Sequence, residues 1–482
     1  MILSIDIETY SDLDIKKVGG YKYAENAEVL LFAYAWDDAP VQIVDFTAGE
    51  TLPDDVLFAL TDSMVTKCAY NAQFERTVLS HFLHRMDPTA PFQFLDPTGW
   101  SCTMVHALTL GLPGSLDMAS KALRLADDKA KMSVGKQLIT YFCKPCKPTK
   151  VNGGRERNLP EHAPEKWALF KEYCVRDVVA EREIRHRLSG FPVRSEEQRL
   201  WELDQRINDR GVSIDARLVS EAIAFDADFK GRVVAHAKAL TSLPNPASGE
   251  QLKRWIEQEE GFFPASITKD NLPELMTQVQ KPEVKEMLRL KQLMSKTSVK
   301  KYEAMQRARC GDGRVHGLLQ FYGANRTGRW AGRLVQVQNL PRNSMTELDD
   351  ARELLRSGNT YAIEMIYAHP LDVLSQLIRT AFVPRNGYRF IVADFSAIEA
   401  RVIAWLAGEK WRMKVFADGG DIYCASASKM FGVPVEKHGI NGHLRQKGKI
   451  AELALGYQGS IGALKAMGAD KLGLSDEELL KI

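Results

Sequence analysis

The chain has 482 residues, of which 45% are hydrophobic and 26% are charged, and its 64 basic and 62 acidic residues leave a net charge of +2. This balance is typical of a globular protein with about two to four domains, each able to bury a core. No apolar run is long enough to span a bilayer, and the N-terminal MILSIDIETY is too short and too acidic for a signal peptide. The seven cysteines form no disulfide framework, so we expect a cytoplasmic protein without a membrane span.

One pair of cysteines, Cys143 and Cys146, forms a CxxC inside the basic run CKPCKPTK. A zinc site needs two more ligands at similar spacing, and the sequence offers none, so we assign this pair no role. The stretches KQLMSKTSVKKY and RWAGRLVQVQNLPR are basic and aromatic, as expected for a phosphate-contacting surface, although a solvated face would have the same composition.

The first 190 residues alternate predicted strands with predicted helices. LSIDIE and VLLFAYAW have the composition of strands, and PEKWALFKEYCVRDVVAEREIRHRL that of a long helix starting at Pro164. In the first strand Asp6 and Glu8 are two residues apart, so both carboxylates face one side while Ile5 and Ile7 face the other. Neighbouring carboxylates repel each other, and a bound cation relieves that repulsion.

Two further pairs are spaced by four residues, Asn71 with Glu75 and Tyr173 with Asp177. On a helix this spacing places the members of each pair on one face, although a salt-bridged helix face is the alternative for each pair alone. Together with the first strand, these segments supply four acids and a phenol. Four acids can hold two divalent ions about 4 Å apart, an arrangement that activates water in phosphodiester hydrolysis.

The three segments, in this order, resemble the motifs of the proofreading 3′→5′ exonuclease of the RNase H-like superfamily. The resemblance implies an α/β domain over residues 1–190, with a mixed sheet flanked by helices. It also implies that Asp6 bridges two metal ions and that Glu8 and Asp177 bind the first of them.

The same resemblance implies that Tyr173 positions the attacking water. Asn71 would contact the bound strand or support Glu75. Glu75 stands where the family usually has Asp, and its longer side chain would reach the second metal ion or its waters.

Residues 191–310 are mainly helical by pattern, and a Gly-rich basic section follows. In TGRWAGRLVQVQNLPR, Arg329 precedes Gln338 and Asn339. Minor-groove acceptors are nearly the same for every correct base pair, so amide donors there can sense pair geometry without sequence preference. A basic loop with ordinary turn residues is the alternative.

The segment IVADFSAIEAR predicts a hydrophobic strand that ends at Asp394 and turns into a helix with Glu399. One acid at the tip of a core strand suits a metal ion between protein and substrate phosphate. The alternative is an ordinary strand-to-helix turn with Asp or Ser as the N-cap.

In LRQKGKIAELALGYQG, four residues are spaced by four and are predicted to share one helix face. The cationic half suits a triphosphate and the apolar half suits base and sugar, although an amphipathic surface helix would show the same spacing. The four residues are Arg445, Lys449, Leu453 and Tyr457.

These last three segments resemble motifs of family A DNA polymerases. The resemblance implies a mainly α, incomplete right-hand polymerase domain. Its parts would be the start of the polymerase domain and the thumb (191–310), part of the palm (311–404) and part of the fingers (405–482). Primer–template DNA and dNTPs would be the partners, and two Mg²⁺ ions per active site, or Mn²⁺, the cofactors.

By this resemblance Asp394 would bind both catalytic magnesium ions and Glu399 would lie under the sugar of the incoming nucleotide. Arg329 would touch the primer–template backbone, and Gln338 and Asn339 would read the minor groove.

Arg445 and Lys449 would grip the phosphates, with Lys449 also a candidate proton donor to pyrophosphate. Tyr457 would lie by the templating base. Leu453 replaces the usual aromatic residue, as in phage-type members of the family, so we expect a phage or prophage protein acting in a bacterial host.

The family's second palm carboxylate lies about a hundred residues beyond the Arg445 segment, and we find no candidate for it. The acids of SDEELLKI are predicted to form a capping box between Ser475 and Glu478. We therefore expect a truncated or split polymerase, with a separate C-terminal fragment as a potential partner. Two alternatives stay open: a chain active only as an exonuclease, and a primer–template-binding remnant.

Overall fold

The computed structural model describes residues 1–126, 132, 134–269 and 271–481. The chain forms two compact units, residues 1–388 and residues 389–482. The finer division into four domains remains a prediction.

All the described strands lie in the first unit. They are β1 (Ile2–Tyr10), β2 (Glu28–Trp36), β3 (Gln42–Asp45), β4 (Thr66–Ala69), β5 (Trp100–Cys102), β6 (Val212–Ser213), β7 (Arg314–Val315), β8 (Leu319–Ala324) and β9 (Arg329–Gly332).

The described helices of the first unit flank these strands, and they make up most of residues 195–308. They are α1 (Ile15–Val18), α2 (Gly20–Asn26), α3 (Asp54–Thr61), α4 (Ala72–Met86), α5 (Thr103–Thr109), α6 (Leu116–Ala122), α7 (Gly135–Phe142), α8 (Pro164–Leu188), α9 (Ser195–Arg210), α10 (Ala216–Thr241), α11 (Gly249–Glu260), α12 (Leu272–Gln278), α13 (Pro282–Met294), α14 (Val299–Ala308), α15 (Leu348–Ser357), α16 (Thr360–Ile366) and α17 (Pro370–Leu377).

The first five strands form one mixed sheet in the order β3-β2-β1-β4-β5. β1 is its centre, antiparallel to β2 and parallel to β4. Side chains alternate along β1, so Leu3, Ile5 and Ile7 pack into one core. The opposite face of the sheet is covered by α8, whose Phe170 and Tyr173 pack on residues of β2. The predicted strands β1 and β2, and the predicted helix from Pro164, are confirmed.

The rest of the first unit is mainly helical, as predicted. Its helices bury two further apolar cores, one around Leu218 and Tyr302 and one around Leu252 and Met287. Two small antiparallel pairs, β6 with β7 and β8 with β9, interrupt the helices.

The second unit, as far as it is described, consists of helices. They are α18 (Ile398–Ala407), α19 (Lys410–Ala417), α20 (Ile422–Phe431), α21 (Arg445–Leu455), α22 (Ile461–Ala466) and α23 (Asp476–Lys481). The predicted capping box is confirmed, because the Ser475 amide donates to Glu478 Oε2 over 2.8 Å and the Glu478 amide donates to Ser475 Oγ over 3.3 Å.

The prediction of a core strand ending at Asp394 is wrong. Residues 389–397 form no strand, and Ile391 and Val392 are 86% and 90% exposed. Among the described residues, none pairs with this segment. A strand depends on a neighbour that satisfies its backbone donors and acceptors, so hydrophobic composition alone does not form one.

A membrane-crossing helix must be both long and apolar, and none of the described helices is.

Candidate functional site

Three of the predicted acids lie together in the first unit. Asp6 and Glu8 share one face of β1, and Asp177 comes from α8, which covers that face. Each offers a carboxylate oxygen, and these oxygens all lie within 4.8 Å of one another. The arrangement follows from strand alternation and from packing of α8 across the sheet.

Glu75 comes from the first turn of α4, which follows β4, and is not one of the three acids whose oxygens lie within 4.8 Å of one another. Burial raises the pKa of Glu75 well above its usual range, and the charges of Asp6 and Asp177 add to that rise. Among the described residues, Glu75 Oε2 has no hydrogen-bond partner. Asn71 is the N-cap residue of α4, directly before the first helical residue, and Glu75 lies in the first turn.

Tyr173 is 1% exposed and its ring ends a row of aromatic side chains on α7 and α8. Phe142 stacks on Phe170 at 5.5 Å between ring centroids, and Phe170 stacks on Tyr173 at 6.0 Å. A Cβ atom added at Gly135 would lie 2.1 Å from Tyr173 Cε2, so only glycine allows α7 to approach this ring. Burial, and then the charges of Asp177 and Glu8, raise the pKa of Tyr173. The phenol therefore stays protonated.

Two buried thiols border the acids. Cys174 Sγ lies 3.6 Å from Asp6 Oδ2, and Cys143 Sγ lies 3.8 Å from Glu8 Oε2. Burial raises the pKa of both thiols, so they are neutral donors to the carboxylates. Cys146 contacts the Arg155 carbonyl instead, at 3.3 Å, so the two cysteines of the CxxC have different partners.

The donor set fits a hard divalent cation. Carboxylate oxygens from two elements converge, as Mg²⁺ and Mn²⁺ prefer. The buried, unpartnered Oε2 of Glu75 is a polar atom that a cation or its water would satisfy.

Sequence reasoning missed Gly135 and the buried acid Glu181. The contact between Gly135 and Tyr173 joins residues far apart in the chain, and no local pattern indicates it. Glu181 follows Asp177 by four residues, so the helical spacing that connected Tyr173 with Asp177 could have found it.

Arg329, Gln338 and Asn339 lie on an exposed surface of the first unit. Arg329 begins β9, where it pairs with Ala324 across the hairpin turn. Gln338 and Asn339 lie in a short 3₁₀ turn, Val337–Asn339. A Cβ added at Gly332 would meet Gln338 Oε1 at 1.8 Å, so this glycine makes room for the amide beside the hairpin.

The hairpin of β8 and β9 is fixed to α9 by a buried carboxylate, Asp204. Trp330 Nε1 donates to Asp204 Oδ1 over 2.8 Å, and Asn208 Nδ2 donates to Oδ2 over 3.2 Å. Burial raises the pKa of Asp204 to about 7.

In the second unit, Arg445, Lys449 and Leu453 lie on α21 at the predicted helical spacing. α21 ends at Leu455, with Gly456 as its C-cap residue, so Tyr457 lies two residues beyond the last helical residue. The predicted four-residue spacing therefore continues past the end of the helix.

Three predicted residues of the second unit nevertheless line one small cavity. Glu399 comes from the first turn of α18, Leu453 from α21, and Tyr457 from the segment after α21. Tyr423 of α20 also lines it. Asp394 is not among the described residues that line this cavity, so the structure leaves it apart from the others.

The predicted phosphate-binding cations surround Tyr423. The Arg445 guanidinium lies 5.1 Å and the Lys449 ammonium 6.0 Å from the centroid of its ring. Arg445 is also held by Asp421, with Nη2 2.7 Å and Nε 2.8 Å from Asp421 Oδ2. Sequence reasoning missed this acid, although its position as the N-cap of α20 was a usable signal.

Comparison with known proteins gives the family. The family model described as DNA polymerase family A matches residues 235–478. A DNA polymerase of Bacillus phage SP02 is 57% identical over 479 residues, which is 99% of this chain and 72% of the relative. DNA polymerase I of Rhizobium leguminosarum is 45% identical over 80 residues, covering 17% of this chain and 8% of that protein.

A solved structure has a similar fold. It is the POL domain of Pol1 from M. smegmatis in complex with DNA primer-template and dNTP, with a TM-score of 0.58 and 18% identity. The match covers 99% of this chain and 70% of the solved one. These comparisons lend no support to a separate C-terminal fragment.

Proposed function

The chain belongs to DNA polymerase family A, and we propose that it acts in phage DNA replication within the cytoplasm of a bacterial host. In this proposal it binds primer–template DNA and dNTPs, transfers nucleotides to the primer, and removes mispaired 3′ nucleotides with a metal-dependent exonuclease of the RNase H-like type. The exonuclease is the part that the geometry supports best.

One observation supports the exonuclease most directly: the carboxylates of Asp6, Glu8 and Asp177 within 4.8 Å of one another. Together with Glu75 they would hold two divalent ions. Bound there, such ions activate water and stabilise the leaving oxygen of a phosphodiester.

The remaining residues of the proposed exonuclease site position the reactants. The Tyr173 phenol, kept protonated by its surroundings, orients a water molecule by hydrogen bonding. Its ring is fixed by Phe170 on one side and by the close approach of Gly135. Asn71, at the start of α4, would contact the bound strand or support Glu75.

For nucleotide transfer we propose that Asp394 holds the catalytic metal ions and that Glu399, Leu453 and Tyr457 form the pocket of the incoming nucleotide. Arg445 and Lys449 would bind its phosphates, and Lys449 would donate a proton to pyrophosphate. The shared lining of the small cavity supports the grouping of Glu399, Leu453 and Tyr457.

The DNA duplex would lie against the hairpin surface of the first unit. Arg329 would contact its phosphate backbone, while Gln338 and Asn339 would donate to minor-groove acceptors. Their exposure supports this role. Because phosphate contacts supply much of the affinity, binding should weaken as salt is raised.

The experiment for the exonuclease uses a labelled primer with a 3′ mismatch, annealed to template, in the presence of Mg²⁺. The wild-type chain should shorten the primer, and Asp6→Ala should slow shortening by roughly 10³-fold, because the ions supply several kcal/mol. Asp38→Ala is the control, since this side chain is 83% exposed and pairs with His186 at the surface. No shortening by the wild-type chain would refute the exonuclease.

A second candidate function is that this chain works only as the exonuclease. The exposed, unpaired segment around Asp394 favours it. Adding the four dNTPs to the same assay separates the two. Template-dependent extension that is lost in Asp394→Ala supports nucleotide transfer, whereas shortening without extension leaves the exonuclease as this chain's activity.

A further inference from the structure

Glu181 is a fifth acid beside the exonuclease cluster. It lies on α8, one helical turn after Asp177, and is 2% exposed. Tyr173, Asp177 and Glu181 are each four residues apart, so they lie along one face of the helix. A carboxylate is rarely buried so deeply without a partner of opposite charge or a cation.

One oxygen of this carboxylate is held in place. The Thr103 hydroxyl at the start of α5 donates to Glu181 Oε1, and Arg185 Nε lies 3.5 Å from the same atom. Arg185 Nη2 in turn donates to Ser4 Oγ over 3.3 Å. Ser4 lies two residues before Asp6 on the same face of β1, so these contacts fix Glu181 relative to the acids.

Burial raises the pKa of Glu181, while the charge of Arg185 and hydrogen bonds with the Thr103 and Ser4 side chains oppose that rise. The second carboxylate oxygen is satisfied less well than the first. Glu181 Oε2 is buried and, within the described part of the chain, has no hydrogen-bond partner, and the same is true of Glu75 Oε2. The charge of Glu181 adds to the rise that burial causes in the pKa of Glu75, so the two carboxylates are within range of each other's charge. Two buried acids that each keep an oxygen without a partner are better satisfied by a cation than by each other.

We propose that Glu181 is a further ligand, directly or through a bound water, of the divalent cation held by Asp6 and Glu75. This proposal rests on the proposed exonuclease function. A carboxylate that is held through one oxygen presents the other in a fixed direction, as the neighbours of a metal site commonly arrange. The ligand is a hard cation, Mg²⁺ or Mn²⁺, because every donor is an oxygen.

A purely structural role, in which Glu181 serves only as the ion-pair partner of Arg185, makes a different prediction. In that case the charge of Glu181 would stabilise the fold whether or not metal is present. As a cation ligand it would instead destabilise the metal-free protein, because its charge repels the other acids. Glu181→Gln separates these cases, since the amide oxygen still accepts from Thr103.

The experiment measures Mn²⁺ binding by electron paramagnetic resonance, in an Asp394→Ala background that removes the proposed polymerase metal site. The parent should bind two ions in the exonuclease site. Glu181→Gln should weaken the second ion at least tenfold and leave the first unchanged, and Glu75→Gln should lose the second ion. Glu165→Gln is the matched control, an exposed acid on the same helix.

Thermal unfolding with and without Mn²⁺ provides the second readout. Glu181→Gln should unfold at the same or a higher temperature than the parent without metal, and should gain less from Mn²⁺. The proposal is overturned if Glu181→Gln binds the second ion as tightly as the parent, or is less stable without metal and gains as much from it. If the parent binds no ions and the wild-type chain shortens no primer, the proposed exonuclease itself fails.

Discussion

The two units place their proposed metal-binding acids in opposite surroundings. Asp6 and Glu8 lie on the central strand of a five-stranded sheet, covered by a helix that brings Asp177 to them. Asp394 lies in a segment without secondary structure, flanked by the exposed side chains of Val392 and Phe395. Both segments are predicted to be strands that carry acids, but among the described residues only the segment of Asp6 and Glu8 pairs with other strands.

The difference shows that an acid in a strand-like sequence is held in place only where other elements pack against that segment. In the first unit, β1 is held in the sheet and α8 packs on its acid face, and together they fix the positions of the carboxylates. In the second unit the described helices form their own core around Ile450 and Leu464, and the Asp394 segment is outside it.

The largest effect on stability is expected from removing an apolar side chain of β1, and the matching change in the Asp394 segment should have almost none. Ile5→Ala should lower the free energy of unfolding by about 2–5 kcal/mol, because Ile5 is 1% exposed and its removal leaves a cavity. Val392→Ala, at an exposed position, should change it by less than about 0.5 kcal/mol. Denaturant unfolding measures both, and a large loss in Val392→Ala would show that the Asp394 segment is packed in solution.

A second effect is expected on the pH dependence of folding stability, because Asp204 is a buried carboxylate. Because burial raises the pKa of Asp204 from 3.8 to about 7, the folded chain holds this proton where the unfolded chain has released it. This contribution to stability is complete below about pH 4 and is lost as the pH rises through about 7.

Asp204→Asn cannot ionise, so the difference in melting temperature between wild type and this variant should shrink by several degrees from pH 4 to pH 8. The variant keeps only one acceptor oxygen for the Trp330, Asn208 and Gln205 donors, which adds an offset that does not depend on pH. Asp394→Asn, at an exposed position, is the comparison variant and should change the melting temperature little. A gap between wild type and Asp204→Asn that stays constant with pH would contradict this account.

The third prediction concerns the close approach of α7 to Tyr173. Gly135→Ala places a methyl group where the ring lies, so the ring must shift at a cost of about 1–3 kcal/mol. Displacing the phenol should slow primer shortening by roughly 10- to 100-fold. Gly190→Ala is the control, because an added Cβ there meets no atom within 4 Å. Equal rates of primer shortening in the two variants would show that the position of the Tyr173 phenol does not affect the reaction.

The smallest effect is expected in the second unit. Arg445→Ala should weaken dNTP binding to the primer–template complex by about tenfold, because one charged hydrogen-bonding group contributes roughly 1.5 kcal/mol or more. Lys447→Ala, two residues along the same helix and packed on the Phe431 ring, should change it little. Fluorescence titration with a non-extendable primer measures both, and equal losses would indicate general charge attraction rather than a phosphate contact.

The first region was predictable from sequence because its patterns are local and mutually consistent. Alternation in LSIDIE defines both the apolar face of β1 and the acid face, and helical spacing connects Tyr173 with Asp177. The contacts that complete the site could not be predicted from local sequence patterns. Gly135 meets Tyr173 only once α7 and α8 have packed together.

The second region was predicted less well because its patterns depend on partners. IVADF has the composition of a strand, but pairing decides whether it becomes one. α21 ends at Leu455, two residues before Tyr457, so the regular four-residue spacing describes the position of Tyr457 less well than those of the other three residues. Helix positions Arg445, Lys449 and Leu453 were correct because they lie within one continuous element.

The alternation on β1 also limits how this protein can change over evolution. Hydrophobic core and acid cluster share one strand of nine residues, so a change of length that slips the pairing register of β1 by one residue would exchange the two faces. Ile5 and Ile7 would then meet the substrate, and both carboxylates would enter the apolar core. Point substitutions in this strand can be tested by selection one at a time, whereas a change of length would remove stability and activity together.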